Sequence, residues 1–280
     1  MVTPITHYER LAMDTILQCP VCGDALHKAE HALVCSSRHS FDIAKEGYVN
    51  LLMSGKPGDQ KGDNKEMARS RRDFLNKGFY SPLAKAVSGC IGSLTRKGDN
   101  VLDICCGEGY YTEFAAKSHE REYYGFDISK NMVRLAAKRH CGASFFVANI
   151  ASIPVKSESV ALAFHLFAPF REDEFARVLK PGGTLVTAIP GKHHLYGLKE
   201  VLYPEPYYND EKPPQADGMK LHDQIRVRAE INLSSSRDIN ALFQMTPYYY
   251  HTPTEGMKRL EQREALSTDI EFVLLMYQKS

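Results

Sequence analysis

Between residues 100 and 190, short apolar runs alternate with segments of helical periodicity, and this alternation constrains the fold more than any other feature of the sequence. Strands are predicted at NVLDI, YYGFDI, ASFFVAN, SVALAFHLFA and GTLVTAIP, and helices at YTEFAAKSH, KNMVRLAAKRH and EDEFARVL. Strands separated by helices of about ten residues are typical of βαβ units. We therefore expect an α/β fold with a doubly wound sheet.

The segments on either side of this region complete the predicted organisation. After residue 191 the sequence has a loop-rich insertion, YPEPYYNDEKPPQADG, and two stretches predicted as antiparallel strands, DQIRVRAEINL and DIEFVLLMYQK. Upstream, two helices interrupted near GFYSP are predicted over residues 67–94. The stretch SGKPGDQKGDNKE contains no large apolar residue, which is typical of a flexible linker. The predicted parts are a small N-terminal module at 1–53, the linker at 54–66 and the main domain at 67–280.

The N-terminal module carries four metal-ligand side chains at close spacing. Cys19, Cys22, Cys35 and His39 follow the pattern C-x2-C, twelve intervening residues, then C-x3-H. Three thiolates and one imidazole form a closed tetrahedral set for zinc, with no position left for a substrate, so the predicted metal is structural. The alternatives are ordinary reduced thiols or a redox C-x-x-C, which would need a βαβ setting that this segment lacks. His27 and His31 fit the spacing less well and are left out of the predicted set.

The overall composition excludes few functions. A chain of 280 residues with 43% hydrophobic content can bury a substantial core, and a formal net charge of +1 says little about partners. No run of about 18 apolar residues exists, and the N-terminus lacks the order of a secretory signal. We therefore expect no membrane partner and a cytoplasmic location. Seven cysteines, an odd number, fit a reducing compartment without disulfides.

The loop after the first predicted strand of the main domain, LDICCGEGYYT, points to a ligand. Gly107 and Gly109 permit a sharp turn at the C-terminal edge of the sheet, where open α/β folds bind ligands. The loop lacks the features of a dinucleotide fingerprint and of a P-loop. Asp103 would repel a phosphate and suit a cation, and Asp127, at the end of the second strand, can accept both hydroxyls of a ribose. A ribose joined to a cationic amino acid, without phosphate, describes S-adenosylmethionine.

Several of these motifs together resemble a known family. The run DICCGEG, the acid at the end of the second strand and LKPGG resemble the class I methyltransferases, which implies a Rossmann-like sheet. In their order along the chain, CPVC, RHSFDIAKEGYVNLL, DICCGEGYYT, FDISK and QMTP resemble the 23S ribosomal RNA (guanine-N1)-methyltransferases over nearly the whole sequence. This resemblance implies methyl transfer from S-adenosylmethionine to N1 of a guanine in a 23S rRNA hairpin, structural zinc and a homodimer. The zinc module is then expected to recognise RNA, the alternative being a brace for the N-terminus.

The resemblance also implies cofactor-binding residues. Asn149 and Ile150 are expected to flank the adenine, and the segments GFYSP and PGKHHL nominate Tyr80 and His194. With the glycine loop included, the predicted cofactor set is Tyr80, Asp103, Cys106, Gly107, Glu108, Gly109, Asp127, Asn149, Ile150 and His194. Cys105 departs from the family's usual glycine, and we expect it to keep a negative φ. Both Cys105 and Cys106 are expected to be buried and chemically inert.

Methylation of guanine N1 also requires a proton acceptor, because N1 is protonated at neutral pH. The segment HLFAPFRED follows the fourth predicted strand and offers His165 as a candidate base, with Phe167 and Phe170 as stacking partners. The alternative is that all three are ordinary core residues, since burial of such side chains is common.

Two further segments are candidates for RNA contact. ARSRRDF places Arg69, Arg71 and Arg72 together, either for phosphate contacts or on a solvated helix face. TPYYYHTP offers three successive tyrosine rings at 248–250, either for base stacking or within a buried strand.

Two other functions remain open from the sequence: a zinc-containing nucleic-acid-binding protein with an inactive methyltransferase domain, and a small-molecule methyltransferase. Intact Asp103, Gly107, Gly109 and Asp127 favour an active enzyme. The sequence does not specify which guanine of the hairpin would be methylated.

Overall fold

A small antiparallel sheet forms the N-terminal part of the computed structural model, which describes residues 15–53 and 65–280. Its strands are β1 (His27–Ala29), β2 (Ala32–Val34) and β3 (Ser40–Asp42). Leu26 and Leu33 are fully buried and belong to a core shared with the main domain. So small a sheet has too little apolar surface to be stable alone, and it depends on what it packs against.

An eight-stranded sheet organises the rest of the described chain. Its strands are β4 (Val49–Asn50), β5 (Asn100–Ile104), β6 (Glu122–Asp127), β7 (Ser144–Val147), β8 (Val160–Leu166), β9 (Leu179–Pro190), β10 (Met219–Leu233) and β11 (Leu266–Lys279). The spatial order is β10-β11-β9-β8-β5-β6-β7-β4. The strands from β4 to β9 pair in parallel, and β11 lies antiparallel between β9 and β10. The predicted α/β sheet, with two antiparallel C-terminal strands, is confirmed.

The central strands are buried on both faces, as their continuous apolar sequences predict. Neighbouring residues of β5 belong to different cores: Val101 packs with one and Leu102 with the other. On the face of Val101 the core includes residues of α1 (Lys65–Asn76), α2 (Ser81–Leu94), α3 (Tyr110–Ser118) and α4 (Lys130–Ala137). On the other face it includes α5 (Glu172–Val178) and the N-terminal module.

Three helices follow the last parallel strand, and the sequence patterns did not predict them. They are α6 (Tyr196–Leu202), α7 (Ser236–Gln244) and α8 (Thr254–Glu261), and a 3-10 turn, Pro247–Tyr250, lies between the last two. Ser235 caps α7 by accepting a hydrogen bond from the backbone N–H of Asp238. The predicted loop at residues 203–218 is confirmed, since it contains no helix or strand.

The N-terminal module is joined to the main sheet by backbone pairing. Val49 and Asn50 of β4 pair in parallel with Phe146 and Val147 of β7. A second junction places Leu17 against Val155. Residues 54–64 of the predicted linker lie outside the described residues. Within the described ranges, no helix combines the length and the apolar character needed to cross a bilayer.

Candidate functional site

The four predicted metal ligands converge at the end of the small sheet. Their ligand atoms, one from each of Cys19, Cys22, Cys35 and His39, all lie within 4.8 Å of one another. The Nδ1 atom of His39 is 3.5 Å from the Sγ of Cys19 and 3.4 Å from that of Cys35. Three sulfurs and one nitrogen at such separations match the donor set of a structural zinc site.

Two tight turns bring these ligands together. In the first, the N–H of Gly23 donates to the carbonyl of Cys19 at 2.9 Å, and Gly23 adopts a φ of 80°. In the second, the N–H of Cys35 donates to the carbonyl of His39 at 3.1 Å. Each turn presents two ligand side chains, so the set closes around one ion with backbone hydrogen bonds as support.

A cavity of about 250 Å³ opens at the C-terminal ends of β5, β6 and β8, and we call it the sheet-edge cavity. The acidic and basic side chains that line it are Arg71, Asp103, Glu108 and Asp127. Parallel strands bring their carboxyl ends to one edge, which is where the glycine loop was predicted to hold a ligand. Of the residues that line it, Arg71 is the one that carries a positive charge.

Two glycines of the glycine loop adopt a left-handed conformation. Gly107 has a φ of 55°, and no atom lies within 4 Å of the place where a Cβ would stand, so its backbone faces open space at the cavity. Gly109 has a φ of 81°, and a Cβ there would meet the Cβ of Ala136 at 2.9 Å. Gly107 therefore keeps the approach to the cavity open, whereas Gly109 lets α3 begin against α4.

The two predicted aspartates have different environments. Asp103 is buried and accepts a hydrogen bond from the Thr112 hydroxyl, and burial raises its pKa to about 8. Asp127 accepts hydrogen bonds from the backbone N–H groups of Gly107 and Ser129 at 3.1 and 2.8 Å. Asp103 is therefore largely protonated at neutral pH, while Asp127 is held by backbone donors beside the cavity.

In the glycine loop, Glu108 is held by an ion pair and Cys106 by burial. Glu108 forms an ion pair with Arg139, whose guanidinium also contacts Glu113 and donates to the Asn76 side chain. Arg139 therefore ties the glycine loop to α3 and α1, a role that the sequence patterns did not reveal. Burial raises the pKa of the Cys106 thiol well above its ordinary value, in agreement with the expected lack of thiol reactivity.

The expectation of a negative φ at Cys105 was wrong. Cys105 has a φ of 59°, in the region that favours glycine. The reason is local: β5 ends at Ile104, and the chain must reverse at once into the glycine loop. Burial also raises the pKa of the Cys105 thiol.

A second cavity, of about 570 Å³, adjoins the first, and we call it the aromatic cavity. Its ring-bearing walls are Tyr80, Phe167, His194, Tyr248, Tyr250 and Phe272. Both cavities are lined by Arg71, Phe167 and Met245. Of the predicted cofactor residues, Tyr80 and His194 line the aromatic cavity and are not among the residues that line the sheet-edge cavity.

His165 lies in the core and lines neither cavity. Its Nε2–H donates to the carbonyl of Pro169 at 3.1 Å, and its Nδ1 accepts from the Thr187 hydroxyl at 3.2 Å. Burial lowers its pKa to about 4, so the ring is neutral. The geometry corresponds to the hydrogen-bonded core histidine that was the alternative to a base. Phe170 packs edge-on against the same ring, at 5.9 Å between ring centroids.

Phe167 has an unusual position between the two cavities. It follows β8 directly, has a φ of 62° and exposes 49% of its surface. Its ring centroid lies 5.3 Å from that of Phe272. An exposed ring held in a left-handed conformation at a cavity wall is available for contact with a ligand.

The other candidates divide by position. Asn149 and Ile150 follow β7 close to Asp127, whose carbonyl accepts a hydrogen bond from the N–H of Ala148 at 3.1 Å, but they line neither cavity. Arg69 is exposed on α1, and Arg72 pairs with the adjacent Asp73. The tyrosines at 248–250 form a 3-10 turn rather than a buried strand.

Comparison with known proteins agrees with both sites. A family profile described as RlmA, N-terminal, a zinc ribbon, matches residues 17–59. A second profile, described as a methyltransferase domain, matches residues 101–183. The fold and the two sites therefore define a class I methyltransferase that uses S-adenosylmethionine and carries an N-terminal zinc ribbon.

The sequence relatives narrow this class. The 23S rRNA (guanine(748)-N(1))-methyltransferase of Streptomyces fradiae is 35% identical over 190 residues, which cover 66% of this chain and 67% of that protein. A Micromonospora griseorubida protein, provisionally named a 23S rRNA (guanine-N(1)-)-methyltransferase, is 35% identical over 66% of this chain and 69% of its own. Bacillus subtilis YxjB, with a similar provisional name, is 26% identical over 95% of this chain and 98% of its own. The chain belongs to the 23S rRNA (guanine-N1)-methyltransferase family.

Both cofactors fit the residues present. The sheet-edge cavity offers Arg71 and the carboxyl groups of Asp103 and Asp127 to a ligand with one carboxylate and two cationic groups, and the cysteine and histidine cluster complements zinc. S-adenosylmethionine is the methyl donor of the family, and zinc in the ribbon is structural.

Proposed function

We propose that this protein transfers a methyl group from S-adenosylmethionine to N1 of a guanine in a 23S rRNA hairpin. The observation that carries the proposal is the pair of adjoining cavities with shared walls at Arg71, Phe167 and Met245. One cavity has the charges that suit the cofactor, and the other has the rings that suit a flat base. Methyl transfer requires the donor and acceptor to meet in line, and adjoining cavities provide this proximity.

In this proposal, the cofactor occupies the sheet-edge cavity. Asp127 accepts the ribose hydroxyls, and Asp103 lies toward the cationic amino acid part, with Cys106, Gly107 and Glu108 as the surrounding loop. Gly109 does not line the cavity and supports this loop from behind, against α4. Arg71 is placed to pair with the cofactor's carboxylate. Asn149 and Ile150, at the end of the neighbouring β7, are assigned to the adenine side. When bound, the cofactor supplies an activated methyl group on a positively charged sulfur.

The target guanine is assigned to the aromatic cavity. A base extruded from an RNA loop loses its stacking partners, and aromatic side chains replace them. Phe167 and Tyr250 are exposed enough to meet such a base, while Tyr80 and Phe272 are buried in the wall. We place His165 in a structural role, because both of its ring nitrogens have protein partners.

We propose that residues 1–53 act as an RNA-recognition module and residues 67–280 as the catalytic domain. The module presents exposed residues that include Val21, His31 and Arg38. Its backbone pairing with β7 supports the brace alternative as well, and both roles are compatible. A cytoplasmic location beside the ribosome is part of the proposal, and a homodimer remains a prediction from the family resemblance.

The test is methyl transfer to a defined RNA. A transcript of the 23S rRNA hairpin is incubated with the protein and labelled S-adenosylmethionine, and the modified nucleotide is located by primer extension, which stops at N1-methylguanine. The expected result is one stop at a hairpin guanine, absent when that guanine is replaced by adenine. Tight cofactor binding without transfer to any RNA would favour the inactive binding protein, and transfer only to a metabolite would favour the small-molecule enzyme.

A further inference from the structure

His194 is held rigidly at the wall of the aromatic cavity. Its backbone N–H donates to the carbonyl of Gly191 at 3.0 Å, and its own carbonyl accepts from the Asn209 side chain at 3.1 Å. Its ring centroid lies 4.4 Å from that of Phe272. With 9% of its surface exposed, the ring has one fixed orientation toward the cavity.

The hydrogen bonds of the ring define where its proton lies. The backbone N–H of Glu271 points at Nδ1 over 3.2 Å. A backbone N–H only donates, so Nδ1 is the acceptor, and in a neutral ring the proton must then be on Nε2. Burial, and to a lesser degree the charge of Lys199, lowers the pKa of His194 to about 3, so the ring is neutral at physiological pH.

The Nε2–H group is available to a ligand. The described part of the chain gives Nε2 no hydrogen-bond acceptor. The atom is also not fully enclosed by protein, so a ligand in the cavity can reach it. The nearby Glu271 carboxylate is already used, since Oε2 accepts from the N–H of His193 and Oε1 from Arg226. The cavity wall thus presents one fixed, neutral N–H donor.

The chemistry of guanine N1 methylation calls for such a donor. As the N1–H bond breaks and its proton passes to water, negative charge spreads onto O6. The N1 electron pair then forms the bond to the methyl carbon, while the electron pair of the breaking S–C bond stays on sulfur. A donor aimed at O6 stabilises the charge before the bond to carbon forms. Adenine carries an amino group at that position, which would oppose the donor.

We propose that the Nε2–H of His194 donates a hydrogen bond to O6 of the target guanine, selecting guanine over adenine and favouring loss of the N1 proton. This rests on the proposed function and assigns His194 to the base rather than to the cofactor. Charged or titratable groups packed around the cavity are Arg71, Tyr80, Lys199, Tyr248, Tyr250 and Glu271.

Two amide substitutions separate this role from a structural one. His194→Gln places a neutral amide N–H donor at about the position of Nε2. In contrast, the shorter amide of His194→Asn lies near the position of Nδ1 and leaves no donor at the position of Nε2. For His194→Asn we expect kcat on the hairpin to fall roughly 100-fold, as for loss of one donor to a developing oxyanion. His194→Gln should retain most of this activity, and S-adenosylmethionine affinity should stay within about twofold in both variants, because the change lies outside the cofactor's cavity.

The pH profile provides the second readout. Activity of His194→Asn should recover progressively as the pH rises toward the ionisation of guanine N1 itself, whereas a folding defect would give no such recovery. Equal losses in both variants with a flat pH profile would overturn the inference, as would a marked loss of cofactor affinity. If the wild-type protein methylates no guanine, the proposed function falls as well; if it does and the variants behave alike, only the inference falls.

Discussion

The carboxylate of Asp127 accepts a hydrogen bond from the backbone N–H of Gly107 at 3.1 Å, which joins the ends of two parallel strands at the sheet-edge cavity. The other oxygen of the same carboxylate accepts from the N–H of Ser129 at 2.8 Å, just ahead of α4. The acid is therefore oriented by the backbone before any ligand arrives. Its position at the end of β6, on the sheet-edge cavity, is the one proposed for the ribose hydroxyls.

Asp127→Ala should weaken S-adenosylmethionine binding by about 1.5 to 3 kcal/mol, the usual loss for hydrogen bonds to a charged group. Isothermal titration calorimetry measures the change. Asp173→Ala, at an exposed position on α5, serves as the control and should leave the affinity unaltered. Unchanged affinity in Asp127→Ala would remove the ribose role from this residue.

Cofactor affinity should increase with pH up to about 8, because burial raises the pKa of Asp103 to about 8 and the cofactor's cationic part favours the ionised carboxylate. Binding below that pH then releases a proton, which calorimetry in buffers of different ionisation enthalpy detects. Asp103→Asn should abolish the pH dependence. The stability of the unliganded protein should change with pH in the opposite direction. Because folding raises the pKa of Asp103, the contribution of this carboxyl group to the free energy of unfolding is lost as the pH rises through about 8.

The purified protein should contain about one zinc ion per chain, since a closed ligand set binds the metal as part of folding. Cys35→Ser should lose the metal and increase hydrogen exchange in residues 15–50 and at the edge of β7 that pairs with β4, while the inner strands β5, β6, β8 and β9 keep their protection. Cys141→Ser, a half-buried thiol outside the cluster, is the matched control. Wild-type protein purified without chelators and found free of zinc would contradict the assignment.

Reversing one charge on the zinc module should weaken RNA binding without affecting the cofactor. Arg38→Glu changes an exposed residue between two ligands, and Lys85→Glu changes an exposed residue on α2. For Arg38→Glu we expect a several-fold loss in hairpin affinity, because a phosphate contact is lost. The slope of the logarithm of the binding constant against the logarithm of salt concentration should also become shallower by about one. If both variants bind the hairpin equally well, Arg38 does not contact RNA, and the module's role as a brace gains support.

Phe167→Ala should lower kcat/KM for the hairpin. The expected loss corresponds to about 1 to 3 kcal/mol of transition-state stabilisation, the range for loss of one base-stacking ring. Tyr249→Ala is a suitable control, because Tyr249 is 41% exposed in the neighbouring turn but does not line the cavity. Melting temperatures of both variants should remain close to that of the wild type. Equal kinetic losses would show that Phe167 has no special contact with the base.

Local patterns were sufficient to predict that the residues at the strand ends meet around one cavity. Asp103, Gly107 and Asp127 follow apolar runs, and parallel strands must bring their carboxyl ends to one edge. The metal ligands were equally predictable from the sequence, because four side chains at close spacing need only two short turns to meet. In both cases the sequence separation is small or the geometry of the sheet is fixed.

Local patterns nominated Tyr80, Phe167, His194 and the tyrosines at 248–250 separately, but did not predict that most of them line one cavity. Arg71, His194 and Met245 come from distant parts of the chain and meet only because α1, the turn after β9 and α7 pack over the same sheet edge. The helices α6, α7 and α8 have only 7, 9 and 8 residues, so each offers about two turns of pattern, too few to distinguish from a loop by sequence alone. The role of Arg139 could not be predicted from local patterns either, because its partners Asn76 and Glu108 are remote in sequence.

The pairing of Val49 and Asn50 with β7 links zinc binding to the cellular abundance of this protein. Without zinc, the short strand before residue 53 would lose its anchor, and β7 would become a bare edge of a large apolar sheet. Bare edges recruit other chains and lead to aggregation. We therefore expect zinc starvation to reduce the abundance of the protein through aggregation and proteolysis, rather than to leave a reservoir of intact chains awaiting metal.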